Sequence, residues 1–170
     1  MPAVALATDV RPATLVDIPA LVAMGQAFLH ASHYARFYAD NPAQVAQLAE
    51  RLITSPGGVV FVAEKEGQVV GMLAAVVYDH FISAQRVASE VVFWVDPASR
   101  GLGLKLLRAT ERWARAQGAL ALQMISPNAE VDRLYDRLGF SPIERAGHFP
   151  HIEQPEAFAQ LIRAFVQGAA

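Results

Sequence analysis

Cysteine is absent from the 170 residues. That absence excludes disulfides, thiolate-held zinc and cysteine nucleophiles, and it fits a reducing compartment. Charge is also sparse: Asp, Glu, Lys and Arg make up 18% of the chain, and the net charge is −2. So slight an acidic balance leaves no electrostatic footprint for nucleic acid or an anionic membrane, and neither is expected as a partner. No uninterrupted apolar run is long enough to cross a bilayer. The opening Met1-Pro2-Ala3-Val4 carries no basic segment, and a cytoplasmic protein is expected. Apolar residues, by contrast, are plentiful at 54%. They predict a packed globule, and the length suits a single domain over residues 1–170. No linker, low-complexity tract or internal repeat divides it.

Apolar spacing and punctuation predict the order β α α β β β α β α β, then a helix. Val4 to Arg11 reads as the first strand. Asp17 caps a helix running to Ala31, with Leu21, Met24 and Phe28 at helical spacing. His30 to Asn41 is an aromatic loop, and a second helix follows Asn41-Pro42 until Pro56-Gly57-Gly58 stops it. Val59–Glu64 and Val69–Tyr78 form a hairpin about Lys65-Glu66-Gly67-Gln68. Val87–Val95 is the fourth strand, Leu104–Gln117 an amphipathic helix closed by Gly118, and Ala119–Ile125 the fifth strand. A helix capped by Asn128 closes at Leu138-Gly139-Phe140. Residues 141–153 are expected to be extended and irregular, and Pro155–Gln167 a terminal amphipathic helix. That helix either covers the sheet or pairs with a second copy as a homodimer. Antiparallel stretches with one β–α–β unit make an α+β domain.

The most informative stretch is Arg100-Gly101-Leu102-Gly103-Leu104-Lys105, between the apolar run Val91–Val95 and the amphipathic helix. A strand feeds a glycine-containing turn that opens a helix. Such a helix start presents unpaired N–H groups and a positive dipole end, which suit a phosphate or pyrophosphate. The plainer alternative is that the two glycines only permit a tight turn. A dinucleotide site of the Rossmann type is disfavoured, because Leu106 stands where a third glycine is required. Upstream, Glu90 lies on a strand otherwise made of Val, Phe and Trp. Apolar neighbours raise a carboxylate's proton affinity and make it a candidate base; the alternative is a solvent-facing residue near a strand start.

Three segments taken together resemble the core of the GNAT superfamily of N-acetyltransferases. They are Glu90-Val91-Val92-Phe93-Trp94-Val95-Asp96-Pro97, the glycine turn with Glu111-Arg112-Trp113-Ala114-Arg115, and Asn128 through Leu134-Tyr135-Asp136-Arg137-Leu138-Gly139-Phe140. The resemblance spans Val10 to Glu144. It implies a mixed, mostly antiparallel central sheet flanked by helices, with a splayed parallel strand pair and a C-terminal helix. It implies acetyl-CoA in the gap between the fourth and fifth strands, its pantetheine arm along Trp94 and Val95. The pyrophosphate then lies on the N–H groups of Arg100, Gly101, Leu102, Gly103, Leu104 and Lys105. The family turn reads Gln/Arg-x-x-Gly-x-Gly/Ala. Counted from Pro97, Arg100 and Gly103 match it but Lys105 fills a small-residue place; counted back from Trp113, Gly101 and Gly103 match and Ala98 replaces the Gln/Arg. The second register is preferred and leaves the loop short.

The resemblance also distributes roles. Glu90 removes a proton from the attacking amine, directly or through water, and the Trp94 amide serves the oxyanion. Tyr135 matches the family tyrosine that protonates the CoA sulfur; alternatively it packs beside Leu134 and Leu138. Asn128 bonds the pantetheine, caps its helix, or does both. His33, Tyr34 and Tyr38 border the acceptor, and His148 lies on its other wall. His30, His33, His148 and His151 lack the acidic partners of a metal site, so no metal is expected. The implied activity is acetyl transfer from acetyl-CoA to a primary amine of a small molecule or a protein. The alternative is a module of the same fold that binds acyl-CoA or a partner without turnover.

Overall fold

β2 (Gly58–Lys65) and β3 (Gln68–Asp79) are built from Val, Phe, Met and Ala, and they meet in an antiparallel hairpin with Lys65 opposite Gln68. The two-residue turn Glu66-Gly67 takes positive φ at both positions, 56° and 77°, which matches the strands' twist. The computed structural model describes residues 10–80 and 84–144, with positions 154, 156, 157 and 160. They fall into two compact units, up to Leu122 and from Gln123 on. β1 (Val10–Pro12) pairs antiparallel with β2, and β4 (Arg86–Val95) pairs antiparallel with β3. β5 (Leu122–Gln123) lies beside β4 as a parallel pair, giving the order β1-β2-β3-β4-β5.

Gly71 through Ala75 of β3 are buried at every position, so helices must cover both faces of the sheet there. On one face α1 (Ile18–Ala31) and α2 (Pro42–Thr54) bring Leu21, Met24, Ala49 and Leu52 onto Val60, Val62, Met72 and Ala74. On the other lies α3 (Gly103–Ala116), with Leu106, Leu107 and Thr110 buried. Each large aliphatic side chain sealed this way contributes about 2 kcal/mol. The buried Thr110 hydroxyl donates to the Leu106 carbonyl at 3.0 Å, which meets the demand that a buried polar group be paired. α4 (Ala129–Arg137) belongs to the second unit.

Most expected elements are present, and the differences have local causes. Asp17 precedes α1 but does not cap it. Its carboxylate accepts from the Thr14 N–H at 2.7 Å and from Arg11 Nη1 and Nη2 at 2.8 and 2.9 Å. Arg11 Nη2 also donates to Glu64 Oε1 at 2.6 Å, tying β1 to β2. The Arg11 bonds and the Thr14 N–H hold the Asp17 carboxyl down at about 2, and the bonds to Asp17 and Glu64 raise Arg11 above its usual value. The fifth strand is Leu122–Gln123 rather than Ala119–Ile125. The aromatic loop contains a short 3-10 turn, His33–Arg36, whose Tyr34 N–H donates to Ser32 Oγ. Residues 141–144 are irregular as expected. The start of the first strand, the rest of the segment to 153 and most of the terminal helix lie outside the described residues.

Candidate active site on the fourth strand

β4 carries a β-bulge. Glu90 lies opposite Ala75 and Val92 opposite Ala74, so Val91 is one residue more than β3 supplies. A bulge reverses which side chains share a face. Val91 and Val92 both pack on the core beneath α1 and α2, with Trp94. Glu90 therefore shares the opposite face with Phe93 and Val95, whose cross-strand partners are Leu73 and Gly71. In a regular strand, with Val91 paired in register, Glu90 would share the face of Val92 and Trp94. Glu90 is 6% exposed.

The same bulge decides which backbone groups are outward. The Asp96 N–H donates to the Val70 carbonyl at 2.9 Å. Antiparallel alternation then commits the N–H and C=O of Trp94 to Met72 on β3. Those of Phe93 and Val95 turn to the other edge. Before the bulge, that edge holds the Ala88 N–H, which donates to Ala121 O, and Arg86 O, which accepts from Leu120 N–H, both at 2.9 Å. The oxyanion donor expected at Trp94 is thus a ladder group, and its indole Nε1 donates to Asp96 Oδ1 at 3.1 Å. Val95, also expected, does face outward, and Phe93 joins it. Sequence alone gave no sign of this phase, because five consecutive apolar residues show no alternation.

After β4 a 3-10 turn, Pro97–Leu102, leads straight into α3. Neither the turn nor α3 has a side-chain cap, so the positive end of a 14-residue helix is left to the backbone. Arg100, Gly101 and Lys105 are exposed, and Leu102 and Leu104 half-buried. A methyl at Gly101 would meet nothing within 4 Å. A methyl at Gly103 would lie 3.3 Å from Phe93 Cζ and 3.7 Å from Val95 Cγ2. One of the expected donors is engaged, since the Gly103 N–H donates to the Arg100 carbonyl. Gly103 is thus small because β4 lies against it, while Gly101 faces open space.

His33, Tyr34 and Tyr38 do come together. Tyr34 has ring centroids of His33 at 4.4 Å, Tyr38 at 6.2 Å and Phe28 at 6.4 Å. Tyr38 is 65% and Phe37 75% exposed, so this cluster is a surface ledge rather than core. Gln26 Nε2 ties the loop to α1 by donating to Asp40 Oδ2 at 2.6 Å. His148 lies outside the described residues, as does His151. Among the described residues no group of three His, Asp or Glu is placed to hold a metal ion. In the second unit, Asn128 Oδ1 caps α4, accepting from the N–H groups of Glu130 at 3.0 Å and Val131 at 3.1 Å. Tyr135 on α4 is 6% exposed, its ring centroid 5.2 Å from that of Phe140.

The model of the acetyltransferase (GNAT) family matches residues 26–140. No curated protein matches the chain. Among solved structures, the aminoglycoside N-acetyltransferase AAC(6')-Iy in complex with CoA superposes with a TM-score of 0.70 at 18% identity, over 83% of this chain and 92% of that one. A ribosomal-protein-alanine N-acetyltransferase from Brucella melitensis biovar Abortus 2308 gives 0.62 at 16%, over 83% and 96%. A transcriptional regulator from Bacillus halodurans C-125 gives 0.68 at 19%, over 83% and 97%. Identities this low establish a shared fold. Among the described residues no helix is long and apolar enough to cross a membrane.

Proposed function

The chain belongs to the acetyltransferase (GNAT) family, and from that premise we propose that it transfers an acetyl group from acetyl-CoA to a primary amine, which attacks the thioester directly. The observation that carries this reading is the Val91 bulge, which turns Glu90 onto the face of Phe93 and Val95, against which the start of α3 rests. The residues present fit the donor: an uncapped helix start, an open approach at Gly101 and outward backbone groups at Val95. The family match runs across Leu122, which supports reading both units as one acetyltransferase domain. Two structural neighbours are named as N-acetyltransferases of an aminoglycoside and of a ribosomal protein, which supports an amine acceptor without choosing between small molecule and protein.

Acetyl-CoA supplies the activated acyl group as a thioester. In this reading the N–H groups at the start of α3 hold its diphosphate, and Val95 N–H and C=O pair with its amide-bearing arm as an added strand would. The Phe93 amide is then the outward donor left for a developing oxyanion. Glu90 takes the proton that a protonated amine must lose before attack, directly or through water. Tyr135 is assigned the donation of a proton to the departing sulfur, a role taken from the family resemblance. Asn128 spends its side-chain oxygen on the α4 cap, leaving its NH₂ for the donor's arm. Tyr34, Tyr38 and His33 offer aromatic faces to a cationic acceptor.

Thermal-shift titration with acetyl-CoA and CoA, followed by CoA release across an amine panel, tests the proposal. The expected result is a Tm rise of about 8 °C at roughly a hundredfold excess over Kd, with CoA release for at least one amine class. Binding without release on a broad panel would favour a non-catalytic acyl-CoA module. No binding of either compound would refute both.

A further inference from the structure

Phe93 has two positions in the site at once. Its ring edge meets the place where a Gly103 side chain would begin, 3.3 Å from Cζ and 3.8 Å from Cε2. Its backbone lies on the outward edge of β4, beside Val95. Gly103 has ordinary helical angles, φ −57° and ψ −38°, so no backbone strain calls for glycine there. What calls for it is the ring beneath. We infer that Phe93 is a positioning residue for the acyl donor, its ring setting the span between the β4 edge and the first turn of α3. The inference rests on the proposed use of acetyl-CoA.

A donor gripped at two points needs those points at a fixed separation. The diphosphate is assigned to the α3 start and the pantetheine arm to the β4 edge, and the Phe93 ring is packed between the two. Trimming the ring lets the turn settle toward the strand; adding a methyl at Gly103 pushes it away. Either change shifts one grip against the other. Sub-ångström to ångström errors in such positioning cost up to about a hundredfold in rate. A donor that lacks the diphosphate uses one grip only, so the span is irrelevant to it.

The test compares acetyl-CoA with S-acetylpantetheine. Phe93→Leu and Gly103→Ala are each expected to raise KM for acetyl-CoA about tenfold, and to lower kcat/KM with S-acetylpantetheine by a clearly smaller factor. The double variant should recover most of the acetyl-CoA KM, because leucine has no Cζ to oppose the new methyl. Equal losses on both donors would reduce Phe93 to a fold residue and overturn the inference, as would no change on either donor. If Phe93→Leu does not fold, Gly103→Ala alters the same junction from the turn side and carries the two-donor comparison alone. A parent protein that releases no CoA from acetyl-CoA with any amine would sink the acetyltransferase reading itself, a different and separable result.

Discussion

Asp17 and Glu90 are equally buried, each 6% exposed, yet they stand in different kinds of surroundings. Asp17 lies at the β1 edge, where Arg11 donates two bonds to it and the Thr14 N–H a third. Those bonds keep its carboxyl at about 2, well below its usual 3.8. A carboxylate so held does not accept a proton near neutral pH, and its oxygens are occupied in joining β1 to the turn before α1. Glu90 lies mid-strand between Ser89 and Val91, opposite Ala75, on a face reached only because Val91 is extra. Burial alone therefore does not mark a base. What sets Glu90 apart is the backbone that delivers it to the face of Phe93 and Val95, where the proposed chemistry lies.

The largest expected effect comes from Glu90→Gln. It should lower kcat by about a hundredfold or more and flatten the rise of rate with pH, while the melting temperature stays close to the parent's. An unchanged pH–rate profile would put Glu90 back among structural residues and erase the contrast.

Asp17→Asn should do the reverse, leaving kcat alone and costing about 2 kcal/mol of stability. Because the folded carboxyl titrates at about 2 and the ordinary value is 3.8, its contribution is fully present above about pH 4. It is lost as pH falls through 2. Acid melts of the variant should lack that component, and a parallel acid profile for parent and variant would contradict the assignment.

Tyr135 provides a third group of equal burial. Tyr135→Phe keeps the ring that packs near Phe140 and removes only the hydroxyl. About a tenfold fall in kcat, with acetyl-CoA affinity held, is expected if the hydroxyl donates a proton. Normal turnover would return the residue to packing. The smallest effect belongs to Asn128→Ala, which deletes a cap that accepts two N–H bonds. It should cost about 1 kcal/mol, measurable as earlier hydrogen exchange at the first turn of α4.

What the sequence revealed was mostly local. Asn41 and Asn128 signal their helices because a cap and the N–H groups it accepts from lie within three residues. Gly118 and Gly139 mark helix ends through positive φ, 74° and 84°. Asp17 carried the same cap signal, but Arg11 and Thr14 claim its oxygens. The Arg11–Glu64 bond joins residues 53 apart, and no local pattern announces it. In the candidate site, the apolar run and the glycine turn were legible. The bulge was not, since Val91-Val92-Phe93-Trp94-Val95 gives no polar residue to show where alternation breaks. That hidden residue moves the outward amides to Phe93 and Val95. The roles of Gly101 and Gly103 also look alike in sequence, and only packing against Phe93 separates them.

The direct measurement is a crystal structure of the full chain grown with CoA. The expected complex has the diphosphate on the N–H groups at the start of α3, the arm along the Phe93–Val95 edge and the sulfur on the face of Glu90. CoA seated elsewhere on the protein, or a diphosphate that leaves the α3 start untouched, would contradict it.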